Sequence, residues 1–270
     1  MSFAERYGPW AVIAGASEGT GSAFARQVAA EGVNCILLAR RLQPLEHLAE
    51  ELRGRYRVEC VTAAIDLAIE DATSRMADTV ADREVGLFIS NAGADSIGSF
   101  FLDGDISNWE SLVMRNVMTV MRTCHHFAQP MRARRRGGII LVGSGACYGG
   151  LTGITVYCAT KAFDLCFGEG LWAELRPYGV DVLNLILGRT DTPAFRELMT
   201  RKGIPIPNDL AAPEDVARTG LARLPYGPVH NWGLADDEAG YAGSSAAARR
   251  QRILSIASLS GKTQPQEKPQ

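Results

Sequence analysis

The sequence predicts a single-domain α/β protein, a doubly wound parallel sheet of about seven strands with helices on both faces. Short apolar runs alternate with longer segments of helical period, which is the pattern of βαβ units. The runs are rich in Val, Ile and Leu at successive positions, as strands covered on both faces must be. The predicted strands are residues 10–15, 34–39, 58–64, 85–90, 138–143 and 180–187, with a weaker seventh near 228–233.

Helical periodicity fills the intervals between these runs. Right-handed crossovers through such helices place them on both faces of the sheet. The predicted helices are residues 20–31, 45–54, 70–82, 105–127 and 155–178. Residues 189–213 are rich in Pro, Gly and charge and show no strand pattern, which predicts a substrate lid. Residues 261–270 carry no large apolar side chain and predict a disordered tail after a domain of residues 1–260.

Composition narrows the classes of function. The chain has 28 Lys and Arg against 30 Asp and Glu, a formal net charge of −2, which argues against a nucleic-acid partner. No apolar run reaches the roughly 18 residues of a membrane span, and the first ten residues hold an acid and a proline, so we expect a soluble, cytoplasmic protein.

Candidate metal ligands are unconvincing. The six cysteines lie in apolar segments without metal-site spacing, which favours reduced core thiols. His125 and His126 are adjacent and so point about 100° apart on a helix, and the acids at 236–238 read as a loop. We therefore expect no metal site.

A glycine-rich turn follows the first predicted strand. It reads Gly15-Ala16-Ser17-Glu18-Gly19-Thr20-Gly21 and leads directly into a helix. Glycines at such a junction let the backbone approach a pyrophosphate, which the amides and dipole of the helix N-terminus hold. The spacing is a variant of the commoner dinucleotide fingerprint, and a plain tight turn is the alternative.

The end of the second predicted strand indicates which dinucleotide binds. Ala39 lies 18 residues after Gly21, close to the place where an NAD site keeps an acid for the ribose 2′-hydroxyl. Arg40 and Arg41 follow instead, and a guanidinium suits a 2′-phosphate, so NADP(H) is the favoured cofactor. The alternative is a solvated strand end.

Three side chains suggest acid–base chemistry on a carbonyl group. Ser144 ends the fifth predicted strand, and Tyr157 and Lys161 share one face of the next helix. A nearby ammonium lowers the pKa of a phenol towards neutrality, so a tyrosine in this setting can donate a proton. A serine hydroxyl at the strand end can stabilise charge on the same oxygen. By spacing alone, Tyr157 and Lys161 could equally be an exposed pair.

Further segments complete a recognisable pattern. Ser90-Asn91-Ala92-Gly93 follows the fourth predicted strand, Asn116 lies in the next helix, and Gly188-x-Thr190-x-Thr192-Pro193 follows the sixth strand. With the glycine turn and the Ser144, Tyr157 and Lys161 set, the chain resembles the short-chain dehydrogenase/reductase family in order and spacing over residues 10–229. The resemblance implies a Rossmann-type fold and assembly as dimers or tetramers through the helices beginning near residues 105 and 155.

The resemblance also implies catalytic roles. Tyr157 corresponds to the catalytic acid/base and Ser144 to the residue that orients the carbonyl. Lys161 corresponds to the cation that tunes the tyrosine and holds the nicotinamide ribose, and Asn116 to the residue that positions Lys161 through water.

The cofactor contacts follow in the same way. Asn91-Ala92-Gly93 corresponds to the support on the adenosine side, and Asp66 to an adenine contact, although Asp66 could simply cap the next segment. Thr190, by its backbone, and Thr192 correspond to contacts of the carboxamide. Leu187 stands where the family usually has Pro, and Glu18 stands where some NADP-binding members have a base.

The sequence therefore predicts an NADP(H)-dependent carbonyl reductase or alcohol dehydrogenase. A weaker likeness points to the branch of 3-oxoacyl-thioester and 17β-hydroxysteroid reductases. A non-catalytic NADP(H)-binding redox sensor and an NAD-preferring alcohol dehydrogenase remain as alternatives. Cys147 either lines the substrate pocket or is a core thiol. The lid's apolar residues suggest a hydrophobic substrate or else face the core: Ala194, Phe195, Leu198, Met199, Ile204 and Ile206.

Overall fold

A seven-stranded parallel sheet organises the molecule, as predicted. The computed structural model describes residues 1–95 and 97–232 of the chain. The strand order is β3-β2-β1-β4-β5-β6-β7, and every neighbouring pair is parallel. The strands are β1 (Trp10–Ala14), β2 (Asn34–Ala39), β3 (Cys60–Ala64), β4 (Val85–Ser90), β5 (Gly137–Ser144), β6 (Val180–Leu187) and β7 (Val229–Asn231). The weak seventh strand is thus confirmed, whereas the predicted tail and the acids at 236–238 lie outside the described residues.

Helices connect these strands on both faces of the sheet. They are α1 (Phe3–Tyr7), α2 (Gly19–Ala30), α3 (Leu42–Tyr56), α4 (Ala72–Val80), α5 (Ile106–Val113), α6 (Thr119–Ala133), α7 (Thr155–Leu175), α8 (Pro193–Arg201) and α9 (Pro213–Arg223). None of the helices in the described residues combines the length and hydropathy that crossing a membrane requires. Assembly into a dimer or tetramer stays a prediction.

The segment predicted as an irregular lid contains a helix, so that prediction was wrong in part. Thr192 caps α8 by accepting a hydrogen bond from the Phe195 amide at 3.2 Å, and Pro193 occupies the first helical position. Both are ordinary helix-start signals. The base of the segment is closed by a parallel bridge between Thr190 and Ala211.

The long helix predicted over residues 105–127 is interrupted and runs further. A π-helical turn, Met114–Met118, joins α5 to α6, and α6 ends at Ala133. Such turns occur often at functional sites because the extra residue redirects a side chain. Here the turn contains Asn116, which is fully buried.

Two apolar cores lie on opposite faces of the sheet, and alternate residues of each central strand feed them. In β1, Ala11 and Ile13 join one core, whereas Val12 and Ala14 join the other. The central strands are therefore buried on both sides, which explains their continuous apolar character in the sequence.

Close contact between α2 and β1 leads to a prediction about Gly21. A Cβ at Gly21 would lie 2.0 Å from the Gly15 carbonyl oxygen, whereas one at Gly54 in α3 would meet no atom within 4 Å. We expect Gly21→Ala to lower the free energy of unfolding by about 1–3 kcal/mol through steric overlap. Gly54→Ala, the matched control, should raise it by about 0.5–1 kcal/mol. Urea unfolding of both variants tests this, and equal effects would contradict it.

Candidate active site

The glycine turn lies at the sheet's switch point, between β1 and β4. Chain order reverses there, and open α/β sheets bind their ligands in the resulting crevice. Gly15 has φ +82°, and Asn91 Nδ2 donates a hydrogen bond to its carbonyl oxygen at 3.1 Å. A Cβ at Gly15 would lie 2.9 Å from the Ala92 amide nitrogen. The predicted turn and the predicted Asn91-Ala92-Gly93 segment are therefore in direct contact.

Gly19 brings the third cofactor segment to the same place. Its φ is +55°, and a Cβ there would lie 2.9 Å from Thr192 Cγ2. The start of α2 thus faces the loop that follows β6. Thr20 is buried, and Ser17 is partly exposed. A narrow backbone cradle that a side chain would fill fits a dinucleotide pyrophosphate.

The two arginines after β2 have different surroundings. Arg41 pairs with Glu18 in an ion pair whose two side chains are both substantially exposed. Arg40 is exposed and pairs with no carboxylate among the described residues. The acid that replaces the family's occasional base therefore engages Arg41 and leaves Arg40 as the unpaired guanidinium.

Asp66 lies beyond β3, as predicted. Its Oδ1 accepts a hydrogen bond from the Ala68 amide at 3.0 Å, which shapes the local turn. It does not cap α4, because that helix begins at Ala72 after Asp71. Asp66 therefore caps the short turn that follows β3, in agreement with the alternative of a local cap, while the adenine contact stays a prediction.

A third arginine at this end of the cleft was missed by the sequence analysis. Arg115 precedes Asn116 in the π turn, and its Nη2 lies 3.5 Å from the Ala94 carbonyl oxygen. Burial and the charge of Arg40 lower the pKa of Arg115, while the carboxylates of Asp66 and Asp95 oppose that shift. The guanidinium therefore shares the charged surroundings of the strand ends of β2, β3 and β4. Only its adjacency to Asn116 signals this in the sequence.

Asn116 anchors a buried network between the π turn, the loop after β4 and α7. Its Nδ2 donates hydrogen bonds to the Gly93 carbonyl at 3.1 Å and to Thr160 Oγ1 at 3.0 Å. Thr160 in turn donates to the Tyr157 carbonyl at 2.8 Å. Asn116 Oδ1 is buried and accepts no hydrogen bond from the described residues. Thr160 was not predicted, because nothing in its spacing marks it.

Lys161 is the buried cation of the site. It is 5% exposed, and its Nζ donates hydrogen bonds to the Val142 carbonyl and to Asp164 Oδ2, both at 3.0 Å. A Cβ at Gly93 would lie 3.1 Å from both Lys161 Nζ and Asn116 Oδ1. Asn116 and Lys161 thus meet on one side of Gly93, as the predicted relation between them requires.

Ser144 and Tyr157 are placed by the two elements that flank this cation. Ser144 ends β5 two residues after Val142, and its Oγ accepts a hydrogen bond from the Ala146 amide at 3.3 Å. Tyr157 lies in the first turn of α7, one turn before Lys161. Both are partly exposed. Tyr157 and Ser144 are therefore less buried than Lys161, which is 5% exposed.

The loop after β6 leaves its threonines with structural bonds. Thr190 is buried, its Oγ1 lies 3.5 Å from the Gly188 carbonyl oxygen, and its own carbonyl accepts a hydrogen bond from the Thr192 amide at 2.9 Å. Leu187, in place of the family's usual proline, is a buried residue that ends β6. Thr192 serves as the cap of α8 as well as the neighbour of Gly19.

The apolar lid residues do not belong to the core. No residue of α8 is buried, Phe195, Leu198 and Met199 are partly exposed, and Ile204 and Ile206 are exposed. The alternative that they face the core is therefore wrong. A Cβ at Gly98 would lie 3.6 Å from Leu198 Cδ1, so α8 lies over the loop that follows β4.

The cysteines are all free, and five of the six are buried. Cys166, on α7, is exposed, so the expectation of a core thiol is wrong there. Cys147 is buried in the 3₁₀ turn after Ser144, close enough to Lys161 to contribute to raising the pKa of that lysine. That proximity leaves Cys147 beside the catalytic candidates.

Comparison with known proteins identifies the family. The sequence model of the short chain dehydrogenases matches residues 9–203. The chain is 30% identical over 232 residues to the 7β-hydroxysteroid dehydrogenase of Mediterraneibacter gnavus, covering 83% of this chain and 86% of that protein. It is 32% identical over 234 residues to the very-long-chain 3-oxoacyl-CoA reductase of Meyerozyma guilliermondii, covering 80% of this chain and 66% of that protein.

Solved structures agree. A 7β-hydroxysteroid dehydrogenase structure has a TM-score of 0.86 at 26% identity and covers 95% of this chain and 100% of that one. A short-chain dehydrogenase from Sphingobium yanoikuyae in complex with NADPH has a TM-score of 0.76 at 25% identity and covers 97% of this chain and 98% of that one. The chain therefore belongs to the short-chain dehydrogenase family and is an oxidoreductase of the class that interconverts carbonyls and alcohols.

Proposed function

We propose that the protein is an NADP(H)-dependent oxidoreductase that interconverts a bulky, hydrophobic ketone and the corresponding secondary alcohol. The observation that carries this proposal is the buried ammonium of Lys161, fixed at Val142 one helical turn from Tyr157. A buried charge of this kind is costly unless it has bonded partners. Its position beside a solvent-reachable phenol gives it a chemical use.

Tyr157 is the proton donor and acceptor in this proposal. The phenol releases its proton to a carbonyl oxygen in reduction and takes one back in oxidation. The Ser144 hydroxyl donates a hydrogen bond to the same oxygen and stabilises the charge that develops there. When bound, the nicotinamide ring supplies the hydride to the carbonyl carbon or accepts it from the alcohol.

Asn116 does not touch the reacting atoms and acts through Lys161. Its amide group is held by Gly93 and Thr160, so its Oδ1 is oriented towards the side of Gly93 where Lys161 lies. A fixed acceptor near an ammonium can bind water that extends the proton path from the phenol. We assign it to the positioning of Lys161.

The cofactor lies across the switch point in this proposal. The turn formed by Gly15, Gly19 and Gly21 holds the pyrophosphate, and Arg40 binds the adenosine 2′-phosphate. Asp66 and the Asn91-Ala92-Gly93 segment contact the adenosine, while Gly188, Thr190 and Thr192 contact the nicotinamide. Arg41 contributes less than Arg40, because Glu18 already pairs with it.

Replacing Tyr157 tests the proton step. We expect Tyr157→Phe to lower kcat for ketone reduction by about 100-fold or more, since the variant has no proton to transfer. Binding of NADPH, measured by fluorescence titration, should stay near the wild-type value. Tyr226→Phe is the matched control, because Tyr226 is an exposed tyrosine far along the chain from the site. Substantial turnover by Tyr157→Phe would contradict the assignment.

Charge changes at the adenosine end test the cofactor preference. We expect Arg40→Leu to weaken NADPH binding about 10- to 100-fold and to leave NADH binding nearly unchanged, because a bond to a charged group contributes about 1.5–3 kcal/mol. Glu18→Gln should tighten NADPH binding by releasing Arg41. Arg132→Leu, which removes the same charge near the end of α6, is the control. Tighter binding of NADH than of NADPH by the wild type would favour the NAD-preferring alternative.

Substrate size is the third test. Half-buried apolar residues on α8 support a hydrophobic substrate, as do the steroid and long-chain substrates named for the two relatives. We expect kcat/KM to rise from small diketones to 3-oxoacyl thioesters and steroids, measured by NADPH consumption. Leu198→Ala should lower kcat/KM for the largest ketones about tenfold, and Thr200→Ala should not. NADPH binding without turnover of any ketone would favour the redox-sensor alternative.

A further inference from the structure

A second charged residue is buried beside Lys161 and has no role in the reaction as described above. Asp164 lies three residues further along α7 and is 3% exposed. Its Oδ2 accepts the hydrogen bond from Lys161 Nζ at 3.0 Å. Its Oδ1 is buried and accepts no hydrogen bond from the described residues. Among the described residues, the hydrogen bond from Lys161 to Oδ2 is therefore the bond that compensates the charge of the carboxylate.

Stability does not account for this pair. Two charges taken out of water lose several kcal/mol of hydration each, and apolar replacements of similar volume are often as stable. An incompletely bonded carboxylate adds to that cost. Of the other buried residues of α7, Cys158, Gly168 and Leu175 carry no charge, and the polar Thr160 has bonded partners in Asn116 and the Tyr157 carbonyl. A reason other than packing is needed for an acid at this position.

The surroundings of the pair show that Asp164 supplies the negative charge closest to Lys161. From α7 itself Tyr157 faces the ammonium, and from the turn after β5 Cys147 does. From α6 Cys124 lies within the field of Asp164, and the π turn contributes the uncharged Asn116. The backbone carbonyl of Val142 in β5 is the remaining bonded partner.

Burial and this carboxylate act on Lys161 in opposite directions. Burial alone lowers the pKa of a lysine, by up to 3–5 units at fully buried sites. At Lys161 burial acts in that direction, but Asp164, assisted by Tyr157 and Cys147, outweighs it and raises the pKa above its ordinary value. Without Asp164 the main opposition to desolvation would be lost, and the ammonium would lose its proton at a lower pH.

We propose that Asp164 is a positioning residue that keeps Lys161 protonated and fixed at Val142 throughout the alkaline range. Asp164 Oδ2 and the Val142 carbonyl each accept a hydrogen bond from the ammonium, and Nζ lies 3.1 Å from where a Cβ at Gly93 would be. The inference rests on the proposed role of Lys161 in the reaction. In this proposal, Asp164 determines up to which pH Lys161 stays protonated and can perform that role.

The chain is suited to a direct measurement, because it contains only four lysines, at positions 161, 202, 262 and 268. Labelling lysine Cε with ¹³C gives four NMR signals, and Lys161→Met identifies that of Lys161. In the wild-type protein without cofactor, we expect the Lys161 signal to titrate at or above the midpoint of the other three. A lower midpoint would overturn the proposal without any Asp164 variant.

Substitution of Asp164 then isolates its contribution. In Asp164→Asn, which preserves shape, the Lys161 midpoint should fall by at least about one pH unit. Asp164→Glu, which restores the charge, should return it towards the wild-type value. The control is Asp181→Asn. Asp181 lies in β6 and forms an ion pair with Arg6 of α1, so this variant removes a carboxylate elsewhere in the protein. An unchanged Lys161 midpoint in Asp164→Asn would overturn the proposal.

A pH profile connects the charge to the reaction. For alcohol oxidation with NADP⁺, the kcat of Asp164→Asn relative to that of the wild type should fall about threefold or more between pH 7 and pH 10, whereas Asp181→Asn should keep the wild-type profile. Parallel alkaline limbs in Asp164→Asn and the wild type would overturn the proposal. If the wild type has no turnover, the proposed function fails while the NMR titration still tests Asp164.

Discussion

A buried ammonium group is the constraint on which the site depends. Lys161 can remain charged inside the protein only if its hydrogens are bonded, and the bonds available come from Val142 at the end of β5 and Asp164 on its own helix. The bond to Val142 ties α7 to the sheet, whereas the bond to Asp164 lies within the helix. Because Tyr157 precedes Lys161 by one helical turn, the bond to Val142 also determines where the tyrosine lies. The position of the acid/base candidate is therefore a consequence of satisfying a charge rather than of packing the phenol itself.

The parallel topology makes that constraint productive. All strands run in the same direction. The loops that follow β1, β2, β4, β5 and β6 therefore begin at the same edge of the sheet, although they are far apart in the sequence. Three of these loops meet closely at that edge: Gly15 faces the backbone of Ala92, and Gly19 faces the side chain of Thr192. A Cβ at either glycine would lie 2.9 Å from the facing atom. The two glycines therefore allow the loops after β1, β4 and β6 to meet.

Most of the fold could be predicted from the sequence, because strands buried on both faces leave continuous apolar runs such as 85–90 and 180–187. A short motif is harder to interpret when it fits two different structures. Thr192-Pro193 was interpreted as a cofactor motif, and its equal value as a helix start was overlooked, so α8 was missed. The π turn has no periodic signature. The partners of charged residues were out of reach, since pairing depends on three-dimensional distance: Glu18 with Arg41, Thr160 with Asn116 and Asp164 with Lys161.

Charge balance at the adenosine end shows why residue types alone decide little. Three arginines lie there, but one is neutralised by Glu18, and another, Arg115, is partly desolvated and influenced by Asp66 and Asp95. Of these three arginines, Arg40 is the one that is exposed and has no carboxylate partner among the described residues. A 2′-phosphate brings about two negative charges, which Arg40 can bond directly and the other arginines can stabilise only after partial release from their own partners. In the proposed function Arg40 therefore supplies most of the discrimination between the two nicotinamide cofactors, and the strength of the Glu18–Arg41 ion pair sets how much Arg41 adds.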